Sequence, residues 1–78
     1  MFSPQNLTQL SIGEKAIVSS VEAHGVTRRR LLDLGLVPGT TVEAVRRSPV
    51  GDPTAFQIRG ALIALRATEA NLVTIQPS

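Results

Sequence analysis

The chain contains no cysteine, no tryptophan, no tyrosine, one histidine and two phenylalanines. Without cysteine there is neither a disulfide nor a thiolate ligand, a composition that suits a reducing compartment. Nucleophilic catalysis needs a base beside its nucleophile. The chain has the single His24, and its serines stand in strand and turn segments without a G-x-S-x-G elbow, so no catalytic residue is assigned and no enzyme is expected. His24 with Glu22 supplies at most two ligands where a metal takes three or four, so no metal site and no cofactor are expected either. There is no G-x-x-x-x-G-K-[ST] loop to cradle phosphates. Phe2 and Phe56 are too few for a base-stacking platform, so nucleic acid is not an expected partner. The longest strongly apolar run, 61–65, is far short of the roughly 20 residues that span a bilayer, and the first nine residues lack the regions of a signal peptide. A soluble chain without membrane insertion is expected.

What is present fits one domain, 1–78, with the first six residues loosely held. At this size a single core supplies only about 3–5 kcal/mol of net stability. Alternating apolar and polar residues predict strands at 15–22, 41–47 and 55–59, with Val42, Ala44, Phe56 and Ile58 turned inward. Residues 61–66 are nearly all apolar and read as a strand buried on both sides, 72–76 closes a set of five strands, and 68–71 makes one helical turn. The segment Ser48-Pro49-Val50-Gly51-Asp52-Pro53 reverses the chain between the second and third strands. Between the first two strands lies one short helix, capped by Thr27 and stopped by Gly35 and Pro38, with Leu31, Leu32 and Leu34 on its apolar arc. Short connections favour antiparallel neighbours and a curled sheet, so the expected fold is mainly β with one short helix, a small and partly open antiparallel barrel.

Charge is uneven along the chain. Seven arginines and one lysine face six acids, and five of the arginines fall in two runs, Arg28 to Arg30 and Arg46-Arg47. Arg28 projects inside the apolar arc and reads as structural, its stem covering the core edge. Three cations in a first helical turn oppose the helix dipole, offset in part by Asp33 toward Arg29 and Arg30. Breaks of a local rule gather at functional sites, so Arg29 and Arg30, with Arg46 and Arg47, are the candidate contacts for a partner. Val50 at the hairpin tip and Leu36 and Val37 beyond the helix are candidate apolar anchors, with Val50 and Val37 ahead of Leu36, which the core has a claim on.

The order of these pieces resembles the FeoA family. The resemblance is carried by the Leu7, Leu10, Gly13 spacing, by Arg30-Leu31-Leu32-Asp33-Leu34-Gly35-Leu36 and Pro38-Gly39, by Ser48-Pro49, Gly51-Asp52-Pro53, Phe56, Ile58, Arg59-Gly60 and Leu65-Arg66, and by Glu69-Ala70. It implies an SH3-like barrel, no catalysis of its own, and an accessory role in bacterial ferrous iron uptake, with the membrane ferrous iron permease and its cytoplasmic GTPase portion as partner. It also implies a cytoplasmic location, peripheral at the inner membrane through that partner, and it leaves room for weak self-association. The alternative is a nucleic-acid-binding or regulatory module such as the SH3-like domain of an iron-dependent repressor. The chain begins directly with the barrel and lacks a winged helix, which weighs against that alternative.

Overall fold

A computed structural model describes residues 5–77. Six strands form one antiparallel sheet: β1 (Gln5–Asn6), β2 (Lys15–Val21), β3 (Thr41–Arg47), β4 (Thr54–Ile58), β5 (Ala61–Leu65) and β6 (Val73–Pro77), in the order β1-β6-β2-β3-β4-β5. Helix α1 (Gly25–Asp33) joins β2 to β3, and the single turn α2 (Ala67–Ala70) joins β5 to β6. The fold is mainly β, as expected. The sixth strand is the short β1, in a segment expected to be loose. Gln5 and Asn6 pair with Ile75 and Thr74, and Asn6 caps the following 3₁₀ turn at Leu7–Gln9 while its side-chain amide donates to Asn71 Oδ1 at 3.1 Å. Pairing and capping together hold this end of the chain. The other residues expected to be loose, 1–4, lie outside the described residues, Phe2 among them.

The sheet curls because two strands carry bulges, one in β2 between Val18 and Ser20 and one in β3 between Ala44 and Arg46. Its concave face holds the core. Val42, Ala44, Phe56 and Ile58 are buried as the alternation predicts, packed with Leu7, Leu65, Val73 and Ile75. No polar or charged side chain is buried among the described residues.

Helix α1 differs from its expected form at both the start and the face. It begins at Gly25, with His24 in the N-cap position, because the Arg28 N–H already reaches the His24 carbonyl at 3.4 Å; Thr27 is inside the first turn. Arg28 is exposed, and so is Val26. The helix meets the sheet along a narrow line: Leu31 is fully buried, Leu32 and Leu34 half-buried, so the arc closes before reaching Arg28.

The helix stop is as the sequence indicates, and more complete. Gly35 adopts a φ of +106°, its N–H donates to the Leu32 carbonyl at 3.0 Å, and the Leu36 N–H donates to the Leu31 carbonyl at 3.2 Å. These paired bonds make a Schellman motif, and Leu31 and Leu36 are both fully buried beneath it. Leu36 therefore belongs to the core and cannot anchor a partner.

Strand β5 departs furthest from expectation. Its apolar run predicted burial on both sides, yet it is the last strand of the sheet, with β4 beside it and no strand beyond. Ala61, Leu62 and Ala64 are exposed and only Leu65 is fully buried. Absence of charge marks a strand that can be buried; its place in the sheet decides whether it is.

Two outcomes follow for stability. Leu31→Ala lowers unfolding free energy by about 2–5 kcal/mol and Leu34→Ala by less, while Arg29→Ala stays within about 0.5 kcal/mol, all read as denaturant midpoints at constant m. Gly35→Ala costs about 1–3 kcal/mol, because a side chain there is strained at positive φ and its Cβ would stand 3.2 Å from Ile58 Cγ2 and 2.8 Å from Arg59 Cδ. A Gly35→Ala midpoint equal to wild type would show that the turn does not hold this geometry.

Candidate partner-binding site

The two arginine runs occupy different elements. Arg29 lies on the outer face of α1, its Nε 3.4 Å from Asp33 one turn on. Arg30 does not turn to Asp33 as expected. It forms an ion pair with Glu69 on α2, because the helix packs with that flank toward the single turn. Glu69 is also the third residue of α2, and its Oε1 accepts the Arg66 N–H at 3.3 Å, so one carboxylate caps α2 and ties it to α1.

Beyond α2 the polar chain continues to the loop 48–53. Asp52 Oδ1 accepts the Ala67 N–H at 2.8 Å, and Asp52 Oδ2 lies 3.8 Å from the Arg66 guanidinium. Ser48 Oγ donates to the Asp52 carbonyl at 2.8 Å, and the Ser48 N–H donates to the Pro53 carbonyl at 3.1 Å, which closes the reversal. The Asp52–Pro53 peptide bond is cis. Asp52 thus caps a helical turn fifteen positions ahead of it. No local pattern in the sequence marks that role.

Arg46 and Arg47 follow the β3 bulge and are exposed, opposite Ala55 and Thr54. Arg47 borders a cleft of about 270 Å³ whose other walls include Asp52, Phe56, Leu65 and Ala70. Arg30 is therefore linked through α2 to the loop by Glu69, Arg66 and Asp52, while Arg47 shares the cleft wall with Asp52 and forms no ion pair among the described residues. Val50, at the tip of the same loop, is 88% exposed. Val37 is half-buried, in a turn held by Thr40 N–H on the Val37 carbonyl at 3.1 Å, and so presents less apolar surface than Val50.

Arg59 is the residue that sequence reasoning passed over except as part of a motif. It sits at a φ of +50° in the two-residue turn Arg59-Gly60 between β4 and β5, with Gly60 at +84°. Positive φ at both positions defines a type I′ turn, where Asn, Asp or Gly is usual. Its stem lies against Gly35, so the helix stop and the hairpin turn share one contact. Arg59 is exposed and forms no ion pair among the described residues. Gly35 and the Arg59-Gly60 pair were each visible in the sequence; that they meet was not.

Residues 5–77 match the family model described as the FeoA domain. The chain belongs to the FeoA family. FeoA is a family of small accessory domains of ferrous iron transport. The chain is 33% identical over 70 residues to the Fe(2+) transport protein A/Fe(2+) transporter FeoB fusion protein of Porphyromonas gingivalis; the match covers 90% of this chain and 8% of that protein, so the chain spans less than a tenth of this curated relative. Among solved structures, the FeoA protein from Chlorobium tepidum has 40% identity and a TM-score of 0.86, over 94% of this chain and 70% of that one. FeoA of Stenotrophomonas maltophilia, a prokaryotic SH3 domain protein complexed with zinc, has 36% identity and a TM-score of 0.83, over 92% and 89%. A manganese-dependent transcriptional repressor has a TM-score of 0.86 at 14% identity, over 100% of this chain and 44% of that one, a likeness of fold alone. The SH3-like fold implied by the family is the fold observed.

No group of three or more His, Cys, Asp or Glu side chains converges among the described residues, and His24 is exposed with no side-chain bond to the helix it precedes. The expectation that folding needs no metal is tested by thermal melts with and without EDTA, which then coincide, whereas a rise of many degrees on adding zinc or ferrous ion would reveal a ligand set elsewhere.

Proposed function

We propose that the chain is a non-enzymatic accessory protein of ferrous iron uptake that docks on the cytoplasmic GTPase portion of the ferrous iron permease and modulates it. The observation that carries this reading is the fusion in Porphyromonas gingivalis, where a segment similar to this chain is continuous with the transporter FeoB. Two activities kept in one polypeptide work in proximity, and a separate chain of the same family must achieve that proximity by binding. Such a chain acts at the cytoplasmic face of the membrane through its partner; none of its described helices is long and apolar enough to cross.

The surface supports a contact steered by charge. Arg29, Arg46 and Arg47 project from exposed positions, and Val50 stands beside the second run as an apolar tip. Arg30, held by Glu69, contributes a positioned rather than a free cation. Cations of this kind accelerate encounter with an acidic surface, while one or two buried apolar side chains supply most of the retained affinity.

The test is binding of folded variants to the isolated GTPase portion and to the full permease, in each nucleotide state and across a salt series. Reversing Arg46 and Arg47 to Glu, or Arg29 to Glu, slows association by roughly tenfold or more at low salt, and the difference shrinks as salt rises. Val50→Asp instead speeds dissociation. If these variants bind like wild type in every state, docking uses another face; if wild type binds neither form, the accessory role is indirect.

A further inference from the structure

The outer edge of β5 is built to accept a strand. In the type I′ hairpin, Ile58 opposes Ala61 and Phe56 opposes Ile63 as hydrogen-bonded pairs, so the N–H and C=O groups of Leu62 and Ala64 point away from β4. Neither residue makes another backbone bond among the described residues. The strand runs in register with β4 without a bulge. It contains no charge and no proline, the usual devices that blunt an exposed edge. Leu62 is 50% exposed, and Ile63, half-buried at the margin of the core, leaves apolar surface on the other side of the same strand.

Charge distinguishes what can fill the edge. From 53 to 68 the chain has no acid and two cations, Arg59 just before β5 and Arg66 just after it. The Arg59 stem rests on Gly35 at the end of α1, which fixes one cation at the hairpin end, and the Arg66 side chain, 70% exposed, lies 3.8 Å from Asp52 at the other end. A second copy pairing antiparallel about Ile63 would seat Arg66 of each copy opposite Gly60 and beside Arg59 of the other, two like-charge encounters per dimer. An extended apolar segment with an acid at each end meets the unpaired Arg59 at one end and, at the other, Arg66, which its 3.8 Å pairing with Asp52 leaves 70% exposed.

We propose that β5 binds a partner protein by strand addition, taking an extended apolar segment flanked by Asp or Glu through the free backbone groups of Leu62 and Ala64. Main-chain bonds provide affinity, and Arg59 and Arg66 select the acidic flanks. The inference goes beyond docking on the transporter and does not depend on it, since any protein that presents such a segment satisfies the edge.

The probe is a synthetic peptide with a Val-Ile-Val core between two glutamates, titrated into the isotope-labelled full chain and followed by amide resonances and hydrogen exchange. The Leu62 and Ala64 amides shift, and their exchange slows at least tenfold at saturation. A twin peptide flanked by lysines, and one N-methylated at alternate amides so that it cannot pair, each bind at least tenfold more weakly. Ala64→Pro removes an outward N–H on an edge strand, where proline is tolerated, and abolishes binding with an unchanged melt; were that variant to unfold, the N-methylated peptide still isolates the backbone bonds. Four outcomes overturn the proposal: no response at Leu62 and Ala64 up to millimolar peptide, equal binding of the N-methylated peptide, equal binding of the lysine twin, or a concentration-dependent dimer lost in Ala64→Pro, which would make a second copy the occupant.

Discussion

The close approach of Gly35 to the turn between β4 and β5 is the constraint on which the rest of the architecture depends. A Schellman closure at the end of α1 buries Leu31 and Leu36 together, and the absence of a side chain at Gly35 lets the Arg59 stem and Ile58 come against the helix end. One contact thereby positions the helix on the sheet, directs its arginines outward and holds an arginine at positive φ in the hairpin. Burial of the two leucines is worth several kcal/mol by large-to-small measurements, and the positive backbone angles are retained because this packing over-determines them.

A second, polar system holds the other end of β5. Arg30, Glu69, Arg66 and Asp52 connect α1, α2 and the loop 48–53, with both carboxylates also accepting backbone N–H groups. Exposed ion pairs contribute only about 0–1 kcal/mol each, so the value of this chain is positional: it ties the loop that carries Val50 to α2 and the helix. Arg30 is part of that support, which separates it from Arg29, Arg46 and Arg47, whose exposed positions suit encounter with a partner.

Much of the fold was legible because its signals are local. Alternation placed Val42, Ala44, Phe56 and Ile58 inward, and Gly35 with Pro38 ended the helix where it ends. Arg28 was misread because angular position on a helix says which residues share a face, not how wide a face the sheet covers. Thr27 was misread because a good capping side chain does not compel a cap when an earlier carbonyl already accepts the first helical bond. The pairing of Gln5 and Asn6 depends on β6 and Asn71, near the other end of the chain, and no pattern within the first residues carries that information.

By itself the sequence determined the family, the mainly β character, core residues such as Leu31, Val42, Ala44, Phe56 and Ile58, and the grouping of arginines into two runs, because periodicity, turn chemistry and composition are properties of neighbouring residues. Tertiary structure decided which strand is an edge, that Arg30 reaches Glu69 on α2 while Arg29 keeps to Asp33, and that Asp52 caps a helical turn fifteen residues ahead. Those outcomes depend on what lies beside a residue in space. An apolar strand such as β5 has the same sequence whether a neighbour covers it within the fold or leaves its backbone open to another chain.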